Sequence, residues 1–138
     1  MTHWLYPANT SIYDVFGAFA ESQTYWPMTS KVAVGDVVFV YLAAPYKQIG
    51  FAADVVGIGY PASKVMAAVR PFFKKGAPNA DGKAKTFMKL AVKKTFEIST
   101  ESALTLSNLK QHGLNGMLMG ARKLQNNPAL LAYLERHL

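Results

Sequence analysis

The chain has 138 residues, 51% of them hydrophobic, no cysteine and a formal charge of +7. That length suits one domain spanning residues 1–138, and eight Phe with seven Tyr supply apolar surface for a single core. The absence of cysteine excludes disulfides, thiolate zinc sites and cysteine nucleophiles.

The opening Met1-Thr2-His3-Trp4-Leu5-Tyr6-Pro7 lacks the basic start and apolar run of a signal peptide. Lys47 and Asp54 interrupt the most hydrophobic stretch, short of the ~20 apolar residues that a membrane helix needs. A soluble, cytoplasmic protein is therefore expected. His3 to Tyr6 predicts a short strand ended by Pro7. A helix is expected from about Ser11 to near Glu21, since Ser11 and Asp14 stand in capping-box spacing and Ile12, Val15, Phe16 and Phe19 recur at helical intervals. Trp26 and Pro27 then fall in a loop. Val34-Gly35-Asp36 is a turn signal before the β-rich run Val37 to Leu42, which reads as a buried strand. Ile49 to Tyr60 is the next strand, with Pro45 in the connection and Gly50, Gly57 and Gly59 marking bulges or bends.

Ala62 to Val69 reads equally as a short helix or an irregular strand, and Gly76 to Gly82 is a loop. In the strand expected over Lys85 to Phe96, Met88, Leu90, Val92 and Phe96 share one parity and Lys85, Lys89 and Lys93 the other, so one face is core and one basic. Thr105 can cap a helix through His112 that Gly113 stops, and Asn127 a last helix from Pro128 with Leu130, Leu131 and Leu134 facing in. Arg122 and Lys123 fall in the loop between them. Strands in the middle and helices towards the ends predict an α+β domain around a small mixed or antiparallel barrel. The six methionines read as gap-fillers.

Charge is unevenly spread. Residues 1–63 carry two bases and four acids, residues 64–94 nine bases against Asp81 alone, and the remainder four bases and three acids. Nearly all the excess therefore falls in one segment, as a polyanion-binding face requires. No HxE, HExxH, GxSxG or P-loop pattern occurs, His3, His112 and His137 lack acidic neighbours in sequence, and the eight acids are dispersed. No catalytic residue, metal site or cofactor is expected.

The succession Trp4-Leu5-Tyr6-Pro7-Ala8-Asn9, Tyr13-Asp14-Val15, Trp26, Val34-Gly35-Asp36-Val37-Val38-Phe39-Val40-Tyr41 and Ile49 resembles the EVE domain of the PUA-like superfamily, whose nearest relations are the ASCH, YTH and PUA modules. Leu104-Thr105-Leu106, Leu109, Gly113-Leu114 and Arg122 near the end are similar to bacterial EVE proteins. After Tyr41 the chain reads Leu42-Ala43-Ala44-Pro45-Tyr46, where eukaryotic EVE proteins have a more polar continuation. The resemblance implies a pseudo-barrel of mixed or antiparallel strands flanked by short helices, with a pocket for a flipped or unpaired modified base in DNA or RNA.

Reading a base without reacting needs an aromatic slot and a few polar groups at the base edge. Tyr13, Trp26, Tyr41 and Tyr46 are the aromatic candidates, Asn9 the amide for the base edge, and Ala44, Pro45 and Ile49 the wall. The resemblance adds Arg122 for a phosphate or base edge. Lys74, Lys75, Lys85, Lys89, Lys93 and Lys123, with Lys94 in support, would engage the nucleic-acid backbone. A non-enzymatic, monomeric nucleic-acid binder is expected. The alternative is a small-molecule or protein-interaction module whose basic face is incidental.

Overall fold

The computed structural model describes residues 1–74 and 86–138. Lys75, Lys83, Lys85 and the expected loop from Gly76 to Gly82 lie outside the described residues. The elements are β1 (His3–Ala8), α1 (Val15–Ala20), β2 (Gln23–Pro27), β3 (Val37–Leu42), β4 (Gln48–Pro61), α2 (Ala62–Val69), β5 (Thr86–Thr95), α3 (Leu106–Gln111), β6 (Arg122–Lys123) and α4 (Pro128–Glu135), with 3-10 turns at Arg70–Phe72 and Leu124–Asn126.

The strands form one mixed sheet in the order β2-β5-β4-β3-β1-β6. Only the pairing of β1 with β3 is parallel; the other neighbours are antiparallel. Hydrogen bonds do not close the sheet into a barrel, since β2 and β6 are its two edges. It curves nonetheless: Tyr6 of β1 and Trp26 of β2 stand four places apart in the strand order, yet line one cavity. The Tyr6 hydroxyl and Ser30 Oγ hydrogen-bond across the same gap.

The curvature has local causes. Pairing of β3 with β4 runs Val40 to Phe51 and then Tyr41 to Ile49, so Gly50 is the extra residue of a bulge. A Cβ on Gly50 would meet Leu42 Cδ1 at 2.6 Å. Further shifts in the β4–β5 pairing fall between Val55 and Gly57 and between Gly57 and Tyr60, where Gly59 takes φ +75°. Bulges bend strands and raise their twist.

Each face of the sheet carries a core. Trp4, Tyr6, Val38, Val40, Phe51, Ala53, Val55, Met88 and Leu90 pack with α1 through Val15 and Phe19. The opposite face buries Leu5, Val37, Phe39, Tyr41, Ile49 and Ala52 under Leu109 of α3, Leu124 and Leu130, Tyr133 and Leu134 of α4. A smaller cluster joins Val65 and Val69 of α2 to Phe87.

Several sequence expectations change. β1 continues through Pro7 to Ala8; beyond Leu5 it has β3 alone as neighbour, the edge-like setting in which strands accept proline. α1 begins at Val15 because Asp14, not Ser11, is its cap, accepting from Gly17 N–H at 3.0 Å. Residues 12–14 instead run beside residues 72–74, with Asp14 N–H bonded to Phe72 O at 2.6 Å and Lys74 N–H to Ile12 O at 2.9 Å. Ile12 and Phe16 are consequently exposed. Trp26 and Pro27 belong to a strand, β2, that pairs with β5, and Arg122 and Lys123 form β6 on β1. Residues 62–69 are helical.

Asp36 ties the turn before β3 to the first strand. Its carboxylate accepts from Thr2 N–H at 2.9 Å, Trp4 Nε1–H at 3.0 Å and Ala33 N–H at 2.9 Å. Burial works to raise its pKa, but the backbone bonds from Thr2 and Ala33, the indole bond and the N-terminal charge outweigh it and hold the carboxyl below its ordinary value.

Among the described residues no helix is long and apolar enough to cross a membrane.

Candidate functional site

A cavity of about 310 Å³ opens between the C-terminal end of β1 and β2. β1 and the residues after it supply Tyr6, Pro7, Ala8 and Asn9 to its wall, and the approach to α1 supplies Ile12 and Tyr13. From β2 onward come Trp26, Pro27 and Thr29; Val69, Phe73 and Phe87 close one side and Met119, Gly120 and Ala121 another. The wall holds no ionisable group other than tyrosine hydroxyls among the described residues.

Three sequence candidates meet here: Asn9, Tyr13 and Trp26. The Asn9 Oδ1 accepts from Ser11 N–H at 2.9 Å and Ser11 Oγ at 2.6 Å, an Asx turn that leaves the Nδ2 amide to donate outward. Tyr13 stands edge-on to Trp26 with ring centroids 5.4 Å apart and an interplanar angle of 88°. It is edge-on to Phe73 as well, at 5.0 Å. Trp26 also contacts Phe19 at 5.2 Å and is only 6% exposed, so it is wall and core together.

The Tyr13 hydroxyl is a buried side-chain polar atom with no hydrogen-bond partner among the described residues. Burial, assisted by the neighbouring Asp14 charge, pushes its pKa up to about 12. It is thus a protonated O–H donor at neutral pH, in a place where an unpaired polar group costs about 1–3 kcal/mol.

The remaining pocket candidates lie elsewhere. Tyr41 and Ile49 are buried in the core on the other face of the sheet: Tyr41 shares the face of Val37 and Phe39 by simple alternation along β3, and the bulge at Gly50 puts Ile49 on the face opposite to Phe51. Burial there raises the Tyr41 pKa. Tyr46 is exposed and packs edge-on against Phe16 at 5.2 Å; Ala44 and Pro45 are exposed in the same turn. None of these lines the cavity.

Arg122 does not line it either, but its guanidinium donates to the carbonyls of Asn115 and Met117 and so holds the loop that delivers Met119 and Gly120 to the cavity.

Sequence reasoning missed Phe73, Phe87 and Met119. Phe87 was visible as an aromatic directly opposite Pro27 only once β2 was known to pair with β5. Nor are all the methionines gap-fillers, since Met117 and Met119 are 78% and 80% exposed.

The basic strand face is less uniform than its parity suggests. Lys89 lies over the Tyr25 ring with Nζ 5.7 Å from the centroid. Lys93, the extra residue of a bulge, pairs with Asp54 at 3.8 Å. Lys94 falls on the other parity, over Phe96, and donates to His137 O at 2.6 Å. Lys74, next to Phe73 of the cavity, and Lys123, two residues beyond Ala121, are exposed.

No protein-family model matches the chain. Nor does any curated protein. Solved structures do match. A protein from Pseudomonas syringae superposes with a TM-score of 0.66 at 14% identity, covering 99% of each chain. An ASCH protein from Zymomonas mobilis gives 0.60 at 11% identity, covering 94% of each chain. Human THYN1, in complex with 5-methylcytosine-containing DNA, gives 0.52 at 14% identity over 80% of this chain and 74% of that one. At these identities the likeness is one of fold: the chain has the α+β fold of the Zymomonas mobilis ASCH protein and of human THYN1.

Proposed function

We propose that the chain is a non-catalytic, EVE-type reader of nucleic acid that holds one modified base in the cavity between Tyr13, Trp26 and Tyr6. The observation that carries this reading is the cavity itself: about 310 Å³, aromatic, uncharged and open at the surface. That is near the lower end of the roughly 300–1,000 Å³ typical of ligand sites, which suits one small flat group rather than a dinucleotide. The same fold in THYN1 occurs in complex with 5-methylcytosine-containing DNA.

The polar groups constrain the ligand further. With its Oδ1 engaged by Ser11, Asn9 has its Nδ2–H to donate, so a bound edge that presents an acceptor, such as a base carbonyl or an unprotonated ring nitrogen, suits this wall. The buried, unpartnered Tyr13 hydroxyl can donate or accept once a ligand reaches it. Apolar walls then favour an added methyl over bare water-exposed base. A general acid or base is hard to find here. No carboxylate, imidazole or amine lines the cavity among the described residues, and a tyrosine at about 12 keeps its proton.

One observation favours the alternative of a small-molecule or protein-interaction module: Lys93 and Lys94 already have partners within the chain, at Asp54 and His137. Salt dependence separates the two. If Lys74, Lys89 and Lys123 neutralise phosphates, log affinity for an oligonucleotide falls linearly with log salt. A cavity that binds a free neutral molecule gives a flat line, and no retention of oligonucleotide at low salt would end the nucleic-acid reading.

A further inference from the structure

Beside the cavity, the segment from Gly113 to Gly120 presents two of the most exposed apolar side chains of the molecule, Met117 at 78% and Met119 at 80%. Single exposed apolar side chains are ordinary, but two presented close together beside a cavity on a fixed backbone make apolar surface of the kind that marks an interaction site, and this backbone is fixed. Leu114 is buried, and Leu118, between the two methionines, packs against the core beneath α3 and α4. Gly113 and Gly116 turn the chain at φ +115° and +65°. Arg122 then ties down the carbonyls of Asn115 and Met117 from β6. The result is a braced projection whose tip is thioether, one residue of which, Met119, forms part of the cavity rim. Arg122 and Lys123 directly behind it make its base cationic.

We propose that Met117 and Met119 form a wedge that enters a nucleic-acid duplex and occupies the stacking position vacated by the base in the cavity. This rests on the reading of the cavity as a base site and adds the duplex as the substrate class. Extracting a base from a duplex costs a few kcal/mol of unstacking, and proteins that part base steps do so with apolar side chains, methionine included. A side chain at the mouth of the receiving cavity is the one positioned to fill the gap. Charge complementarity points to the same occupant, since phosphates flank any parted step and Arg122 and Lys123 stand behind the tip.

The test compares Met117→Gln, which lies outside the cavity wall, with the native protein on one modified-base oligonucleotide, offered as a single strand and as a duplex, with binding read by fluorescence anisotropy. Glutamine keeps the length and removes the apolar tip, and Met117 is 78% exposed, so folding and the cavity wall are preserved. The wedge predicts roughly tenfold weaker duplex binding, equivalent to ~1.4 kcal/mol, with single-strand binding unchanged. Equal losses on both ligands would make Met117 a contact common to single strand and duplex and overturn the wedge, and so would no loss on either. If the native protein binds the modified single strand but not the duplex, the wedge fails and the cavity reading stands. If it shows no preference for the modified strand, the cavity reading fails first and the wedge with it.

Discussion

Tyr13 meets Trp26 edge to face at 5.4 Å, so the residue that leads into α1 and a strand at the far edge of the sheet form one corner of the cavity. Quadrupoles favour this arrangement, and such pairs contribute about 0.5–1.5 kcal/mol beyond area burial. The pair divides the work: Tyr13 brings a polar tip, and Trp26 a surface shared with the core.

Tyr13→Phe separates those roles. Its hydroxyl has no partner among the described residues, so removing it relieves a desolvated group, and the melting temperature should rise, corresponding to about 1–3 kcal/mol. Affinity for the modified base should fall roughly threefold to tenfold, one net hydrogen bond being about 0.5–1.5 kcal/mol. Paired thermal melts and binding titrations check this. A more stable variant with unaltered affinity would remove the hydroxyl from the site.

Trp26→Ala should destabilise the domain by about 3–5 kcal/mol, because its ring is packed on Phe19 and Tyr13 within the core. Loss of binding in that variant says little. Trp26→Phe retains most of the packing while shrinking the cavity wall, and should reduce discrimination between modified and unmodified bases with much smaller loss of stability. Chemical denaturation beside a two-ligand titration is the check.

Asp36 predicts an acid limit to stability. Its folded-state pKa lies below the unfolded one, so its contribution is complete above the ordinary carboxylate range and is lost as pH falls through the lowered value. Asp36→Asn should cost about 1–3 kcal/mol at pH 7 by mismatching the three donors from Thr2, Ala33 and Trp4. It should also flatten the decline in stability below pH 4 or so. Denaturant midpoints measured from neutral to acid pH, native against variant, test both the size and the slope.

Lys74→Gln and Lys123→Gln, on either side of the cavity, should weaken binding to modified and unmodified oligonucleotides alike and each lower the salt slope by about 1. Lys93→Gln should have less effect, since part of that charge is already answered by Asp54. Titrations at several salt concentrations give the slopes directly.

Which parts of this were legible in sequence follows from where the information lies. β3 was readable because Val37 to Leu42 is β-branched and apolar without interruption, and α3 and α4 because Thr105 and Asn127 are caps in both pattern and geometry. β2 was not, since its β-favouring run Thr24-Tyr25-Trp26 is only three residues long before Pro27 and is held by residues of β5 sixty or more positions away. The start of α1 was ambiguous for a different reason. Ser11 and Asp14 are both capping residues, and the choice was made by pairing of residues 12–14 with 72–74. For the candidate site, Asn9, Tyr13 and Trp26, named in the order that resembles the EVE domain, do line the cavity, whereas alternation along β3 turns Tyr41 to the other face with Val37 and Phe39, and the bulge at Gly50 takes Ile49 there too.

The most direct test of the central claim is an equilibrium binding panel of otherwise identical oligonucleotides, each carrying one modified base, measured at low and at moderate salt. The cavity reading predicts that one modified base binds at least roughly tenfold tighter than its unmodified parent. Because the cavity wall is uncharged, that ratio should persist at both salt concentrations while every absolute affinity falls. Equal affinity across the panel, with all binding lost at moderate salt, would leave only a phosphate-binding surface and contradict the claim.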